Sequence, residues 1–192
     1  MDPPRFRDLG DRLRRRARAP RRYPPNGWTI EQTERHLVDQ QVEWAVVFDT
    51  NRRQLFRLRG TRQTVSFSMQ DVALLRDSVV VHNHPREEGE RAEDLTFSLT
   101  DLIFAVRFDI AEMRVVTTGW RFTLRRPEDG WPADETVIGE VYDELFAAQI
   151  VAFDGAVAEG LLTDEQARRL AHDETLRLVA QWGRFEYVKE AR

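Results

Sequence analysis

Val79-Val80-Val81-His82-Asn83-His84-Pro85 is the stretch on which the reading of this chain turns. Three consecutive β-branched residues favour extended backbone, and the run predicts a central strand over residues 78–82. Pro85 has no amide hydrogen to give to a ladder, so the strand ends there and the chain opens into a loop. Side chains alternate faces along a strand, so His82 and His84 point one way and Asn83 the other. Two imidazoles on one face at a strand's end can reach a common ion. Taken alone, the same pair reads equally well as one satisfied core histidine beside one exposed to solvent.

Working outward, residues 27–42 read as a helix, with Thr29 as cap, Glu31 and Glu34 in the first turn, and Ile30, Leu37, Val38 and Val42 apolar. Trp44 to Phe48 reads as a buried strand, Gln54 to Arg59 as a second and residues 64–68 as a third. Residues 69–76 suit a short helix. A further helix starts at Ser98 and carries Leu99, Leu102, Ile103 and Val106. Residues 113–117 and 120–124 form a hairpin around Gly119. Residues 134–160 and 163–182 are two long helices, and residues 185–188 a last short strand. Apolar stripes at Val137, Val141, Leu145, Ala148 and Ala152, and at Leu170, Leu178, Val179 and Trp182, read as packing faces. Mixed helices and strands in this order predict an α/β (α+β) fold, a mixed β-sheet flanked by helices. Proline-rich punctuation at 20–25 and 127–132 divides the chain into a flexible basic arm (1–26), a domain (27–130) and a helical C-terminal extension packed on it (131–192).

The 192 residues are 41% hydrophobic and 32% charged, enough apolar material for a real core. There is no cysteine, which excludes disulfides, thiol catalysis and thiolate metal sites; any metal must sit on His, Asp or Glu. No apolar run approaches the ~18 residues that a membrane span needs, so no membrane partner is expected. No apolar stretch follows the N-terminal arginines, so a cytoplasmic setting is expected. The net charge of −4 conceals an asymmetry. Residues 1–22 hold nine arginines against three aspartates, about +6, which leaves about −10 on the remainder. Such an arm reads most simply as solvated; nucleic acid is its candidate partner.

Ser98-Leu99-Thr100-Asp101 resembles a capping box at a helix start. The first turn also aims Asp101 beyond the helix N-terminus. If that helix packs on the strand bearing His82, the carboxylate completes a two-histidine, one-aspartate set. Three protein ligands with a fourth position open to water is the catalytic form of a zinc site. Such a site lowers the pKa of water from ~15.7 to about 7. The chemistry also needs a base that is not a ligand. Glu43, at the start of the strand Trp44 to Phe48, is the candidate; alone it reads as a solvated residue at a helix-to-strand junction.

Together, Glu43, His82-Asn83-His84-Pro85 and Ser98-Leu99-Thr100-Asp101 resemble the pattern of the JAB/MPN (JAMM) metallopeptidase family. Val42-Glu43-Trp44-Ala45-Val46-Val47-Phe48-Asp49 is similar to the strand that follows the glutamate in bacterial members. Arg53-Gln54-Leu55-Phe56 to Gly60-Thr61 is similar to the RadC branch. The resemblance covers about residues 28–125. It implies an MPN/JAB-like fold with one zinc ion (Zn2+) per chain, held by His82, His84 and Asp101. It implies that Glu43 acts as general base and then general acid, and that Ser98 hydrogen-bonds the developing oxyanion. It implies isopeptide or peptide substrates, with a ubiquitin-like C-terminus among the candidates. One departure is the loop at 86–97, a strongly acidic stretch of twelve residues where the family has about six or seven. It reads as a tolerated insertion, a lid or a substrate-selecting element.

An amidohydrolase-like barrel is excluded. It needs histidines or carboxylates from several later strands and about 200–250 residues. An HNH nuclease lacks its ββα setting. Two readings remain: a zinc hydrolase, and a binding or scaffold module of the same fold that engages protein or DNA. The complete set of ligand types, with Glu43 and Ser98, favours the hydrolase. His36 and His172 are isolated and carry no assigned role.

Overall fold

The computed structural model of the chain describes residues 27–85 and 96–192. The Arg-rich arm and residues 86–95 of the acidic loop, with the expectations attached to them, lie outside the described residues.

The elements run α1 (Ile30–Leu37), β1 (Trp44–Phe48), β2 (Gln54–Arg59), α2 (Met69–Val72), β3 (Val79–Asn83), α3 (Leu99–Arg107), β4 (Glu112–Val116), β5 (Trp120–Arg125), α4 (Glu135–Ala158), α5 (Asp164–Gly183) and β6 (Glu186–Ala191). The six strands form one mixed sheet in the order β2-β1-β3-β4-β5-β6. Only β3 and β4 run parallel. A parallel pair needs a crossover, and α3 lies within that connection. The chain is therefore α+β, with helices on both sides of the sheet.

Every residue of β3 is buried. Its valines alternate between two cores, which explains why the strand is apolar throughout. On one face, Val79 and Val81 join Val46, Phe48 and Val116 beneath Ile30 and Leu37 of α1. On the other, Val80 joins Val47, Met113, Val115, Phe122 and Leu124 beneath residues of α3, α4 and α5. Helix α1 is shorter than the expected span. Thr29 caps it, in a reciprocal box with Gln32. Glu34 is buried on its inner face, where Arg114 donates to it at 2.7 Å and Arg121 at 3.2 Å. Arg114 also donates to Glu112, and each buried charge there has a partner of opposite sign.

Two expectations are corrected. Residues 64–68 do not form a strand. Thr61 and Thr64 close a tight turn at the end of β2. A Cβ on Gly60 would stand 2.0 Å from the Thr64 carbonyl oxygen, so this close approach requires glycine. The chain then crosses the α3 side, where Phe67 packs against Phe56 and Phe104. The long helices are present, and their expected stripes are met in part: Val141 and Leu145 of α4 pack against the core and Val179 of α5 lies in it. Ile138 and Tyr142 of α4 enter the core, whereas Val137 is exposed. In α5 the buried line is Ala167, Ala171, Thr175, Leu176, Val179, Ala180 and Gly183, with Leu170 and Trp182 exposed. Small residues let α5 approach closely: a Cβ on Gly183 would lie 2.9 Å from Pro132 and from Phe185. Strand β6 then adds to the edge of β5, so the C-terminal residues share both sheet and core with the rest. No helix among the described residues is long and apolar enough to cross a membrane.

Candidate metal centre

The site is built where β1, β3 and the start of α3 meet. The antiparallel register pairs Ala45 with His82. Continued two residues further, it sets Glu43 opposite His84. Val80 lies in the core beneath α3, so alternation turns His82 to that side too. The small side chain of Ala45, opposite His82, lines the same cavity.

Hydrogen bonds from both neighbours fix the Glu43 backbone. Its N–H donates to Thr61 O at 2.7 Å, and its carbonyl accepts from Gly60 N at 2.8 Å. On the β3 side, Asn83 spans it. Asn83 Oδ1 accepts from Trp44 N at 2.9 Å, and Asn83 Nδ2 donates to Val42 O at 3.1 Å. The sequence reading gave Asn83 no role. The signal was available: a fully buried amide in an otherwise apolar strand needs partners, and these are the peptides flanking Glu43.

Ser98 caps α3 in a reciprocal box with Asp101, as its spacing predicts. Asp101 Oδ2 accepts from Ser98 N and from Ser98 Oγ, both at 2.8 Å, and Asp101 N donates to Ser98 Oγ at 3.2 Å. The box holds the carboxylate in one orientation, facing both imidazoles. Asp101 Oδ1 lies 3.3 Å from His82 Nε2, and Oδ2 lies 3.6 Å from His84 Nε2. The two rings stand 5.1 Å apart at 63°. One ligand atom from each of His82, His84 and Asp101 falls within 4.8 Å of the others, so these three can hold a metal ion.

The donor set fits such an ion. Ligands at about 2.0–2.2 Å around a tetrahedral zinc stand about 3.3–3.6 Å from one another. The His82 and His84 nitrogens approach different oxygens of Asp101, at 3.3 and 3.6 Å, and with one ligand atom from each residue the set stays within 4.8 Å, near enough to close around an ion by small side-chain adjustments. His82 Nε2 is also buried with no hydrogen-bond partner. It lies 3.3 Å from Asp101 Oδ1, and no hydrogen bond among the described residues satisfies it. Leaving such an atom unpaired is costly.

The charges are strongly coupled. Burial alone would raise the Asp101 carboxyl, but the attraction of His82 and His84 beside it outweighs burial and holds the group well below its ordinary range. Burial opposes protonation of His84, yet Asp101, Glu43 and a hydrogen bond to the Thr96 backbone raise it overall. Burial pushes the Glu43 carboxyl up, against the pull of His84 and His82.

A cavity of about 530 Å³ opens over the set, lined by Glu43, His82, His84, Ser98 and Asp101. Val65, Phe67, Phe104 and Met113 give it an apolar side. All five residues singled out from the sequence thus share one cavity. His36 lies elsewhere, against Trp28, and His172 packs between Tyr142 and Phe146. No family model, curated protein or solved structure matches this chain.

Proposed function

We propose that this chain is a zinc-dependent hydrolase of the JAB/MPN type that cleaves an isopeptide or peptide bond in a protein or peptide substrate. The observation that carries the reading is the convergence of His82, His84 and Asp101, with one imidazole nitrogen, His82 Nε2, buried without a hydrogen-bond partner among the described residues. The β1–β2 hairpin beside β3, and the α3 crossover to a parallel β4, support the family architecture as part of the same proposal.

His82, His84 and Asp101 hold the ion and leave one side facing the cavity. When bound, zinc supplies Lewis acidity and brings the pKa of water near 7. Glu43 would take a proton from water as the water oxygen adds to the carbonyl carbon, and return it to the amine nitrogen as the C–N bond breaks and the amine leaves. Its carboxyl, raised by burial, is suited to both halves of that transfer. Ser98 turns its hydroxyl hydrogen from Asp101 to the carbonyl oxygen as charge develops there. The apolar side of the cavity receives the substrate and excludes bulk water. A ubiquitin-like C-terminus is one candidate substrate.

Purified full-length protein is expected to hold one zinc per chain and to cleave isopeptide- or peptide-linked reporter substrates. Glu43→Gln is expected to keep the metal and lose turnover by about 10²–10⁴-fold. Wild type without stoichiometric metal, or a fully active Glu43→Gln protein, overturns the reading. Metal binding with no turnover on any reporter favours the binding-module reading.

A further inference from the structure

We propose that Arg62 is a specificity residue of the candidate centre. It pairs with a carboxylate on the leaving half of the substrate, beside an apolar wall that takes a large apolar side chain. The inference rests on the functional reading above and narrows its substrate class.

Arg62 stands at the tip of a stiff turn. Thr61 N donates to Thr64 O at 2.9 Å, and Thr61 Oγ1 accepts from Gln63 N and Thr64 N, each at 3.2 Å. Gly60, at the base of the turn, has no room for a side chain. The turn is tied to the Glu43 backbone through Thr61 O and Gly60 N. Arg62 is therefore carried on the Glu43 side of the cavity, and it lines that cavity.

The charges of the lining favour an anion there. Among the described residues Arg62 is its one arginine or lysine, and Glu43 and Asp101 are its acids. Arg62 is exposed and makes no ion pair or hydrogen bond through its guanidinium among the described residues. A zinc ion with neutral imidazoles brings two positive charges against the two carboxylates, and Arg62 leaves one positive charge over. A substrate carboxylate completes the balance, and a guanidinium meets a carboxylate through two parallel hydrogen bonds.

The chemistry says which half of the substrate is concerned. Glu43 returns a proton to the departing amine, so that amine stands against Glu43 and the chain beyond it passes the turn. Val65 and Phe67 follow Arg62 in sequence and, with Phe104 and Met113, make the apolar wall. A carboxylate on Arg62 and a side chain on this wall thus belong to the same, leaving half. The carboxylate is either the C-terminus of the substrate or an acidic side chain close behind the scissile bond.

The test uses full-length, zinc-loaded wild type, Arg62→Gln and Arg62→Lys. The probes are acetyl-glycyl-phenylalanine, its C-terminal amide, acetyl-glycyl-phenylalanyl-glutamic acid α-amide, and acetyl-glycyl-lysine. Release of the amine gives kcat/KM. Equilibrium binding of the same probes to zinc-loaded Glu43→Gln, with and without Arg62→Gln, gives a readout free of turnover. Wild type is expected to prefer a carboxylate-bearing phenylalanine probe over the amide by about 10–100-fold, in kcat/KM and in binding. Arg62→Gln should lose that preference, and Arg62→Lys should keep part of it. Preference for the first probe identifies a terminal carboxylate, and preference for the third an acidic side chain. Equal handling of acid and amide, or a preference that survives Arg62→Gln, overturns the proposal. Equal cleavage of the lysine and phenylalanine acids overturns the part given to the apolar wall. A wild type that binds no zinc, or that cleaves no probe, fails the functional reading itself, and the inference with it.

Discussion

Asp101 does two things at once, capping α3 and facing two imidazoles, and a single substitution can separate them. Asp101→Ala would remove both the candidate ligand and the acceptor of the Ser98 N–H and Oγ–H in the capping box. Asp101→Asn retains an oxygen to accept from Ser98 and keeps the side-chain shape, but replaces an anionic ligand with a neutral amide. The assay is thermal unfolding with and without zinc. At free zinc about 100-fold above its dissociation constant, binding to the native state stabilises it by about 2.7 kcal/mol. For a chain of this size, about 2–4 °C accompanies each kcal/mol, so wild type should melt about 5–11 °C higher with the metal. A ligand loss that weakens binding about 100-fold leaves zinc near its dissociation constant. The stabilisation is then about 0.4 kcal/mol, a shift of about 1–2 °C. Each variant is compared with its own metal-free form, so any change in baseline stability cancels. The chain has no cysteine and only four histidines, so zinc has little to bind in the unfolded state. An equal zinc-induced shift in wild type and Asp101→Asn refutes the ligand assignment, and no shift in wild type refutes the metal site.

Two further outcomes follow from buried polar groups. Asn83→Ala leaves Trp44 N and Val42 O without their partners, at about 1–3 kcal/mol for each orphaned group, so the urea midpoint should fall clearly. Asn83 also lies between His82 and His84, so zinc affinity and turnover should fall together; an unchanged midpoint rejects the clamp. Burial alone would raise the Glu112 carboxyl, but Arg114 and Arg125 outweigh it and hold it below its ordinary value of 4.5. A depressed carboxylate contributes stability that is complete above its unfolded pKa and lost as pH falls through its folded one. Melting temperature should therefore drop on acidification below about pH 4.5, less steeply in Glu112→Gln. Parallel slopes in the two proteins count against the ion pairs.

What the sequence discloses is what short-range physics governs. A β-branched run ended by proline predicts β3, a serine three residues before an aspartate predicts the start of α3, and alternation predicts that His82 and His84 share a side. Each signal fits within a few residues, and each corresponds to a feature of the fold. The failures have a common cause as well. Residues 64–68 have the pattern of a strand, but a strand also needs an edge to pair with. Burying Phe67 against Phe104 draws that segment across the sheet instead. Of the large apolar residues in the expected stripe of α5, Val179 is buried but Leu170 and Trp182 are exposed, because close helix packing is carried by Ala167, Ala171, Ala180 and Gly183. Tyr187 is the extreme case, meeting Thr96 across 91 positions of sequence. No helical or strand period spans that distance; only the accumulated register does. Val80 pairs with Met113, Met113 with Leu124, and Leu124 with Tyr187. Directly paired residues share a face, so Tyr187 stands on the face of Val80, which is also that of His82. The pairings along that row together bring the C-terminal strand beside the segment that leads into α3, and so tie the shape of the candidate centre to the register of the whole sheet.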